Sequence, residues 1–223
     1  MRLLLLGLGA NRRGAWGTPA QTLTRTLGKL QAAGLQPVAI SRLYRTAPIG
    51  GPAQDDYLNA VVQVLSDLAP TRVLAAVKTL ERSAGRRPRG HWMPRPLDID
   101  ILDDAASTLG WRRRPAHRAS GIDPPRWRRR PGTPTGQLVL PHPRLHLRAF
   151  VLVPLLDIAP QWRHPVLGRT AHALLQALAS QRRSVRPSTE QWPRERRSGP
   201  PECGKPEGLV ELRSSPGCNQ GPT

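Results

Sequence analysis

Between Pro94 and Leu102 the chain reads Pro-Arg-Pro-Leu-Asp-Ile-Asp-Ile-Leu, which sets two carboxylates, Asp98 and Asp100, one residue apart. On a β-strand, residues two apart share a face at a spacing of about 6.5–7 Å. Asp98 and Asp100 are therefore predicted side by side, with Leu97, Ile99 and Ile101 turned into a core. Two like charges held together are unfavourable unless something cationic sits between them. Hard divalent cations such as Mg²⁺ take carboxylate oxygens and usually bridge to phosphates. A bare pair of this kind is most often the solvent face of an amphipathic strand. Here Arg86, Arg89 and Arg95 flank it, and guanidinium forks suit a polyphosphate held over the same ions.

The elements that must position these groups follow from hydrophobic spacing. Leu3 to Leu8 reads as a strand buried on both faces, and Thr18-Pro19 as a helix N-cap with proline at the first helical position. Leu23, Leu27 and Leu30 recur at helical spacing up to Gly34, a C-terminal glycine. Val38 to Tyr44 is predicted as a second strand. Tyr57 to Leu65 is a third, with Leu58, Ala60, Val62 and Val64 on one face and Tyr57, Asn59 and Gln63 on the other. Pro70 to Ala84 forms an amphipathic helix with Val73, Leu74, Val77 and Leu80 inward. Pro96 to Leu102 is the fourth strand. The order βαββαβ predicts an α+β, ferredoxin-like core, an antiparallel sheet with helices on one face. Phe150 to Leu156 and Thr170 to Ala179 add C-terminal helices.

Two segments stand outside this pattern. Residues 103–136 hold eight arginines and five prolines, and the unit Trp-Arg-Arg-Arg-Pro occurs at Trp111 and again at Trp127. Residues 181–223 are rich in Pro, Gly, Ser and charge. Neither carries enough apolar surface to offset backbone ordering of about 1–2 kcal/mol per residue, so both are expected to be disordered. The expected organisation is one domain over 1–180, interrupted by a basic insertion and followed by a tail.

The net charge is +19. A basic chain of this kind points to a polyanion, either nucleic acid or a nucleotide. Cys203 and Cys218 lie in the tail without metal-ligand spacing, so neither a disulfide framework nor a zinc site is expected. The apolar opening ends at Asn11-Arg12-Arg13 without a cleavage site, and no stretch approaches the roughly 20 apolar residues of a membrane span. A cytoplasmic chain without membrane attachment is the expectation. No G-x-x-x-x-G-K-[ST] loop is present, and Gly7-Leu8-Gly9-Ala10-Asn11 lacks the third glycine of a dinucleotide fingerprint.

Four blocks in register give a specific resemblance. Pro94 to Leu102 fits P-R-x-L-D-[LI]-D-[IL]-[LM]. Tyr44-Arg45-Thr46-Ala47-Pro48-Ile49-Gly50 precedes Asp56-Tyr57-Leu58-Asn59-Ala60-Val61. Leu140-Pro141-His142-Pro143-Arg144-Leu145 precedes Arg148-Ala149-Phe150-Val151-Leu152, and Gly7 to Asn11 is similar to a G-S-N start. Together they resemble the 6-hydroxymethyl-7,8-dihydropterin pyrophosphokinase family over roughly residues 1–180.

The resemblance implies an ATP- and Mg²⁺-dependent transfer of a diphosphoryl group to a reduced pterin, with release of AMP, in folate biosynthesis. It implies that Asp98 and Asp100 hold two Mg²⁺ ions, and that Arg86 and Arg95 act with them in catalysis. Glu81, Arg86, Arg95, His142 and Arg148 match positions around the nucleotide. Thr46, Pro48, Ile49, Tyr57 and Asn59 match a pterin pocket, with Trp92 and Phe150 as aromatic faces for the ring. ATP and the pterin are the expected partners, and a monomer without nucleic acid is the expected state. Lys78, Gln137 and Val139 depart from residues common in the family. The other reading, from a different class, is a degenerate relative that binds nucleic acid through its basic segments.

Overall fold

The computed structural model describes residues 1–48, 53–87, 93–105, 107–112, 128–129 and 138–193. Strand β1 (Arg2–Ala10) lies at the centre of the sheet, antiparallel to β4 (Tyr57–Ser66) on one side and to β5 (Asp98–Asp104) on the other. Beyond β4 come β2 (Gln36–Ile40) and β3 (Tyr44–Thr46), which pair in turn with successive parts of that long strand. The expected Val38–Tyr44 strand is thus two strands, interrupted at Ser41-Arg42-Leu43. Helix α1 (Pro19–Ala32) joins β1 to β2, and α2 (Pro70–Ser83) joins β4 to β5. This is the βαββαβ ferredoxin-like arrangement, antiparallel throughout.

Local chemistry explains the helix boundaries. The Thr18 hydroxyl accepts from the Gln21 N–H, and the Gln21 side chain accepts from the Thr18 N–H, closing a capping box with Pro19 in the first turn. Gly34, at φ +78°, ends the turn that follows α1. Helix α2 buries Val73, Val77 and Leu80 as its spacing predicts, along with Glu81.

The sheet is covered on both faces, not one. Leu4, Leu6 and Leu8 of β1, Val62 and Val64 of β4 and Ile99 and Ile101 of β5 pack under α1 and α2. Leu5, Val61 and Leu102 face the other way, beneath α3 (Ala149–Ile158) and α4 (Ala171–Gln176). The apolar residues on the second face need a cover of their own, and the C-terminal helices supply it. Their layer covers only part of that face and leaves the Asp98/Asp100 end open.

Both segments expected to be structureless contribute ordered residues. Asp103 and Asp104 complete β5 and are buried. Their charges have partners: Arg2 pairs with Asp104 at 2.8 Å, and the Trp162 indole donates to Asp103 at 2.8 Å. A bulge opposite Leu5/Leu6 turns both Leu102 and Asp103 toward the α3–α4 layer. Leu109 exchanges backbone hydrogen bonds with Leu140, and the Trp111 indole donates to the Pro141 carbonyl at 2.8 Å. The short strands β6 (Trp111–Arg112) and β7 (Arg128–Arg129) pair antiparallel, Trp111 opposite Arg129 and Arg112 opposite Arg128.

Past residue 180, α5 (Ala179–Ser184) runs into β8 (Arg186–Pro187), which pairs with β3. The Trp192 indole then donates to the Ser41 carbonyl at 2.8 Å and packs against the main core. One large aromatic and an open strand edge order a stretch whose composition alone favours disorder.

Candidate active site

The site lies on the sheet face that α3 leaves uncovered, where alternation along three neighbouring strands brings residues together. Gly7 and Gly9 of β1, Tyr57 and Asn59 of β4, and Asp98 and Asp100 of β5 all line one cavity of about 570 Å³. The register pairs Gly9 with both Asn59 and Asp98, and Gly7 with both Val61 and Asp100. Glycine matters here because a Cβ on Gly9 would stand in the cavity between Asn59 Oδ1 and Asp98, while one on Gly7 would press Leu102 at 3.2 Å. The floor is therefore bare backbone.

The carboxylates are held by arginines from three separate segments. Asp98 Oδ1 accepts from Arg86 at 2.5 Å and Oδ2 from Arg95 at 2.6 Å. Asp100 Oδ2 accepts from Arg148 at 3.2 Å and lies 3.9 Å from His142 Nε2. Burial alone would raise the Asp98 carboxyl, but the guanidiniums of Arg95 and Arg86 hold it below its usual range. Burial pulls His142 down from its ordinary value, against the opposing pull of Asp100. Its Nδ1 accepts from the Arg144 N–H, which leaves Nε2 as the donor toward Asp100.

Glu81 sits behind this row with its side chain only 2 % exposed. Its carboxylate accepts from the Ile99 N–H at 2.9 Å, from Lys78 at 2.9 Å and from the same Arg86 nitrogen that holds Asp98. Burial pushes the Glu81 carboxyl up, while the Ile99 N–H and the two cations pull it down. Glu81 thus ties α2 to β5 and aims Arg86.

A second cavity of about 630 Å³ lies beyond Arg86 and Arg95, lined by Arg12, Arg13, Lys78, Arg82 and Arg87 among others. Arg95 borders both cavities. Arg86, which lines the second, and Arg95 both grip Asp98, which lines the first.

The residues expected around a flat ring gather at the first cavity. The Thr46 hydroxyl accepts from Asn59 Nδ2 at 2.8 Å, orienting the amide, and Pro48 and Tyr57 also line the space. Burial raises the Tyr57 hydroxyl, partly offset by Arg95. Phe150 lines the cavity with Arg148 stacked 5.5 Å from its ring centroid. Ile49, Trp92 and Arg89 lie outside the described residues, as does Gln137. Leu145–Leu147, after His142, is a single 3₁₀ turn, and the His146 ring packs edge-on against His164.

Sequence reasoning gave no role to Asn11, which clasps the site from behind. Its backbone N–H donates to the Arg95 carbonyl at 3.1 Å, and its Oδ1 accepts from the Arg95 N–H at 2.8 Å. Its amide nitrogen reaches Gln54 and the Asp55 carbonyl. Its place directly after Gly7-Leu8-Gly9-Ala10 is the signal in the sequence, and its burial appears only in the fold. Arg144, Gln54 and Gln181 also line the first cavity and were not foreseen.

Among the described residues no group of three or more His, Cys, Asp or Glu side chains is placed to enclose a metal ion. Asp98 and Asp100 offer two hard carboxylate donors on one face. That fits a cation of the Mg²⁺ type, which keeps several waters and completes its shell with phosphate oxygens.

A carboxylate pair, three guanidiniums and two adjoining cavities on one sheet are the equipment of a phosphate-transferring enzyme. A family model described as 7,8-dihydro-6-hydroxymethylpterin-pyrophosphokinase (HPPK) matches residues 5–160. The chain belongs to that family. It is 32% identical over 168 residues to a 2-amino-4-hydroxy-6-hydroxymethyldihydropteridine pyrophosphokinase of Porphyromonas gingivalis, covering 74% of this chain and 95% of the relative. The protein of the same name from Methylorubrum extorquens is 36% identical over 156 residues, covering 70% of this chain and 81% of the relative. Among solved structures, wild-type Plasmodium falciparum HPPK-DHPS with pteroate superposes with a TM-score of 0.56 at 15% identity, over 80% of this chain and 44% of that one. At that identity the superposition speaks for the fold alone. No helix among the described residues is long and apolar enough to cross a membrane.

Proposed function

We infer that this chain transfers the diphosphoryl group of ATP to 6-hydroxymethyl-7,8-dihydropterin in folate biosynthesis. The hydroxymethyl oxygen attacks the β-phosphorus and loses its proton. The bond from that phosphorus to the oxygen bridging the α- and β-phosphates breaks, and AMP leaves with the electron pair. The observation that carries this reading is that the two cavities share Arg95, which grips Asp98. A cavity with Tyr57, Asn59 and Phe150 suits a flat heteroaromatic ring, and a cleft lined by arginines suits a polyphosphate.

In this reading the pterin lies over Gly7 and Gly9, its edge read by Asn59 and its face against Phe150. Arg86, Arg95 and Arg148 neutralise the carboxylates in the free chain and are within reach of phosphate oxygens in the complex. Asp98 and Asp100 would hold Mg²⁺, which supplies charge neutralisation of the triphosphate and alignment for in-line transfer. The remaining contribution of the protein is to position two reactants and keep water from the hydroxymethyl group. Two carboxylates set among guanidiniums favour this chemistry over a nucleic-acid-binding role, since a binder of polyanions gains nothing from them. A monomer in the cytoplasm completes the proposal.

The test is AMP release from ATP with and without the dihydropterin, before and after removal of divalent cations by a chelator. Pterin-dependent AMP that disappears with chelation and returns with Mg²⁺ is expected. AMP formation indifferent to the pterin, or none from a folded sample with Mg²⁺, would overturn the reading.

A further inference from the structure

Helix α3 begins at Ala149, directly after Arg148 and immediately before Phe150, so its first turn sets the position of two cavity residues. The first N–H groups of a helix have no partner within it. Here the Arg148 carbonyl takes the Val151 N–H at 3.1 Å, but the local sequence supplies no side-chain acceptor for the Ala149 N–H. The N-cap is Arg148, which offers no side-chain acceptor and is committed to Asp100, and the first turn carries no acidic residue.

The missing acceptor comes from 32 residues downstream. The Gln181 Oε1 accepts from the Ala149 N–H at 3.2 Å, and its Nε2 donates to the Leu147 carbonyl at 3.3 Å. One side-chain amide thus bridges the residue before Arg148 and the residue after it. Gln181 also lines the first cavity. At the far end of α3, Asp157 accepts from the Tyr44 hydroxyl at 2.9 Å and from the Arg42 guanidinium at 2.9 Å. The helix is pinned to the sheet at its C-terminal end, and Gln181 fixes its N-terminal end.

We propose that Gln181, on the short helix α5 beyond the residues matched by the family model, is a positioning residue that caps α3 and thereby holds Arg148 and Phe150 at the cavity. The functional part of this proposal rests on the pterin reading above, whereas the capping part does not. The segment after residue 178 is then a working part of the site rather than an appendage.

Hydrogen exchange of the full-length, ligand-free protein tests the cap, and steady-state kinetics test its consequence. Gln181→Ala is expected to speed exchange at the Ala149–Val151 amides about fivefold to tenfold, the size of a lost helix cap. Amides of α1 and α2 are expected to stay unchanged. Gln181→Glu keeps an acceptor for Ala149 and restores the protection, while Gln181→Met, similar in length but without that acceptor, does not. In turnover, Gln181→Ala raises KM several-fold for the pterin through Phe150 and for ATP through Arg148, with a smaller change in kcat. Unchanged exchange at 149–151 in Gln181→Ala would overturn the cap. Altered exchange with an unchanged KM would overturn the positioning role. The exchange measurement needs no turnover, so a chain inactive on the pterin would sink the functional reading and still leave the cap decided.

Discussion

Arg95 reaches Asp98 three residues along the chain, its Nη1 2.6 Å from Oδ2, on the carboxylate oxygen that Arg86 does not hold. Asn11 fixes the backbone of that arginine through two hydrogen bonds, so the pair is set from both the side chain and the main chain. The grip favours the ionised form of Asp98 against the burial that would protonate it. It also means that the cations available to phosphate are already at the carboxylate before any substrate arrives.

Replacing Asp98 or Asp100 with Ala should therefore remove turnover while the chain still folds. A loss of at least about a hundredfold in pterin-dependent AMP release is expected for each, in line with removal of a group that organises transition-state charge. Circular dichroism checks the fold. A rate within threefold of the unaltered chain in either variant would rule out the assigned role.

Glu81 tests the layer behind. Glu81→Ala leaves the Ile99 N–H without an acceptor and Arg86 without its second anchor, at a cost of about 2 kcal/mol. Glu81→Gln retains an acceptor for Ile99 and should cost less. Urea unfolding gives both values, and equal stability of all three chains would show that the tie between α2 and β5 carries no weight.

Two glycines should respond in opposite ways. Gly28 lies on the exposed face of α1 with nothing within 4 Å of an added Cβ, so Gly28→Ala should stabilise the chain by about 0.5–1 kcal/mol. Gly9→Val places a branched side chain over the cavity floor beside Asn59 and Asp98. Binding of the dihydropterin, followed by its fluorescence, should weaken at least tenfold. Unimpaired binding would mean the ring lies elsewhere.

His164 sets an acid limit on stability. It is fully buried, its Nδ1 accepts from the Val166 and Leu167 N–H groups, and burial lowers its pKa to about 4. Because the folded value lies below the unfolded one, its contribution is complete above about pH 6.5 and is lost as the pH falls toward 4. The loss should be on the order of 2–4 kcal/mol. His164→Asn, which keeps an acceptor near Nδ1 without a titrating group, should flatten stability between pH 6.5 and 4. An unaltered slope in that variant would assign the acid sensitivity to other groups.

The sheet and its two covering helices were legible because their signals are local. The capping box at Thr18, the alternation along Tyr57–Leu65 and the spacing of Val73, Val77 and Leu80 each lie within a few turns of chain. Asp98 and Asp100 were legible for the same reason, since period-two geometry on one strand is enough to make them neighbours. The split of Val38–Tyr44 into two strands was not, because the interruption is set by how β4 offers its edge. Composition overstates disorder for a related reason: it counts the charges of Asp103 and Asp104 as costs, and only the fold supplies Arg2 and Trp162 to meet them.

The sequence alone determined β1, α1, β4, α2 and β5, the last being the strand that carries the carboxylates, and, through four blocks in register, the family. Tertiary structure decided which arginine holds which oxygen, that Glu81 turns inward to Ile99, Lys78 and Arg86, that Asn11 clasps Arg95, and that Gln181 closes the start of α3. The links from Glu81 to Ile99, Asn11 to Arg95, Arg148 to Asp100 and Gln181 to Ala149 join residues far apart in the chain, and a partner at such separation is fixed by packing and register. No spacing along the sequence carries that information.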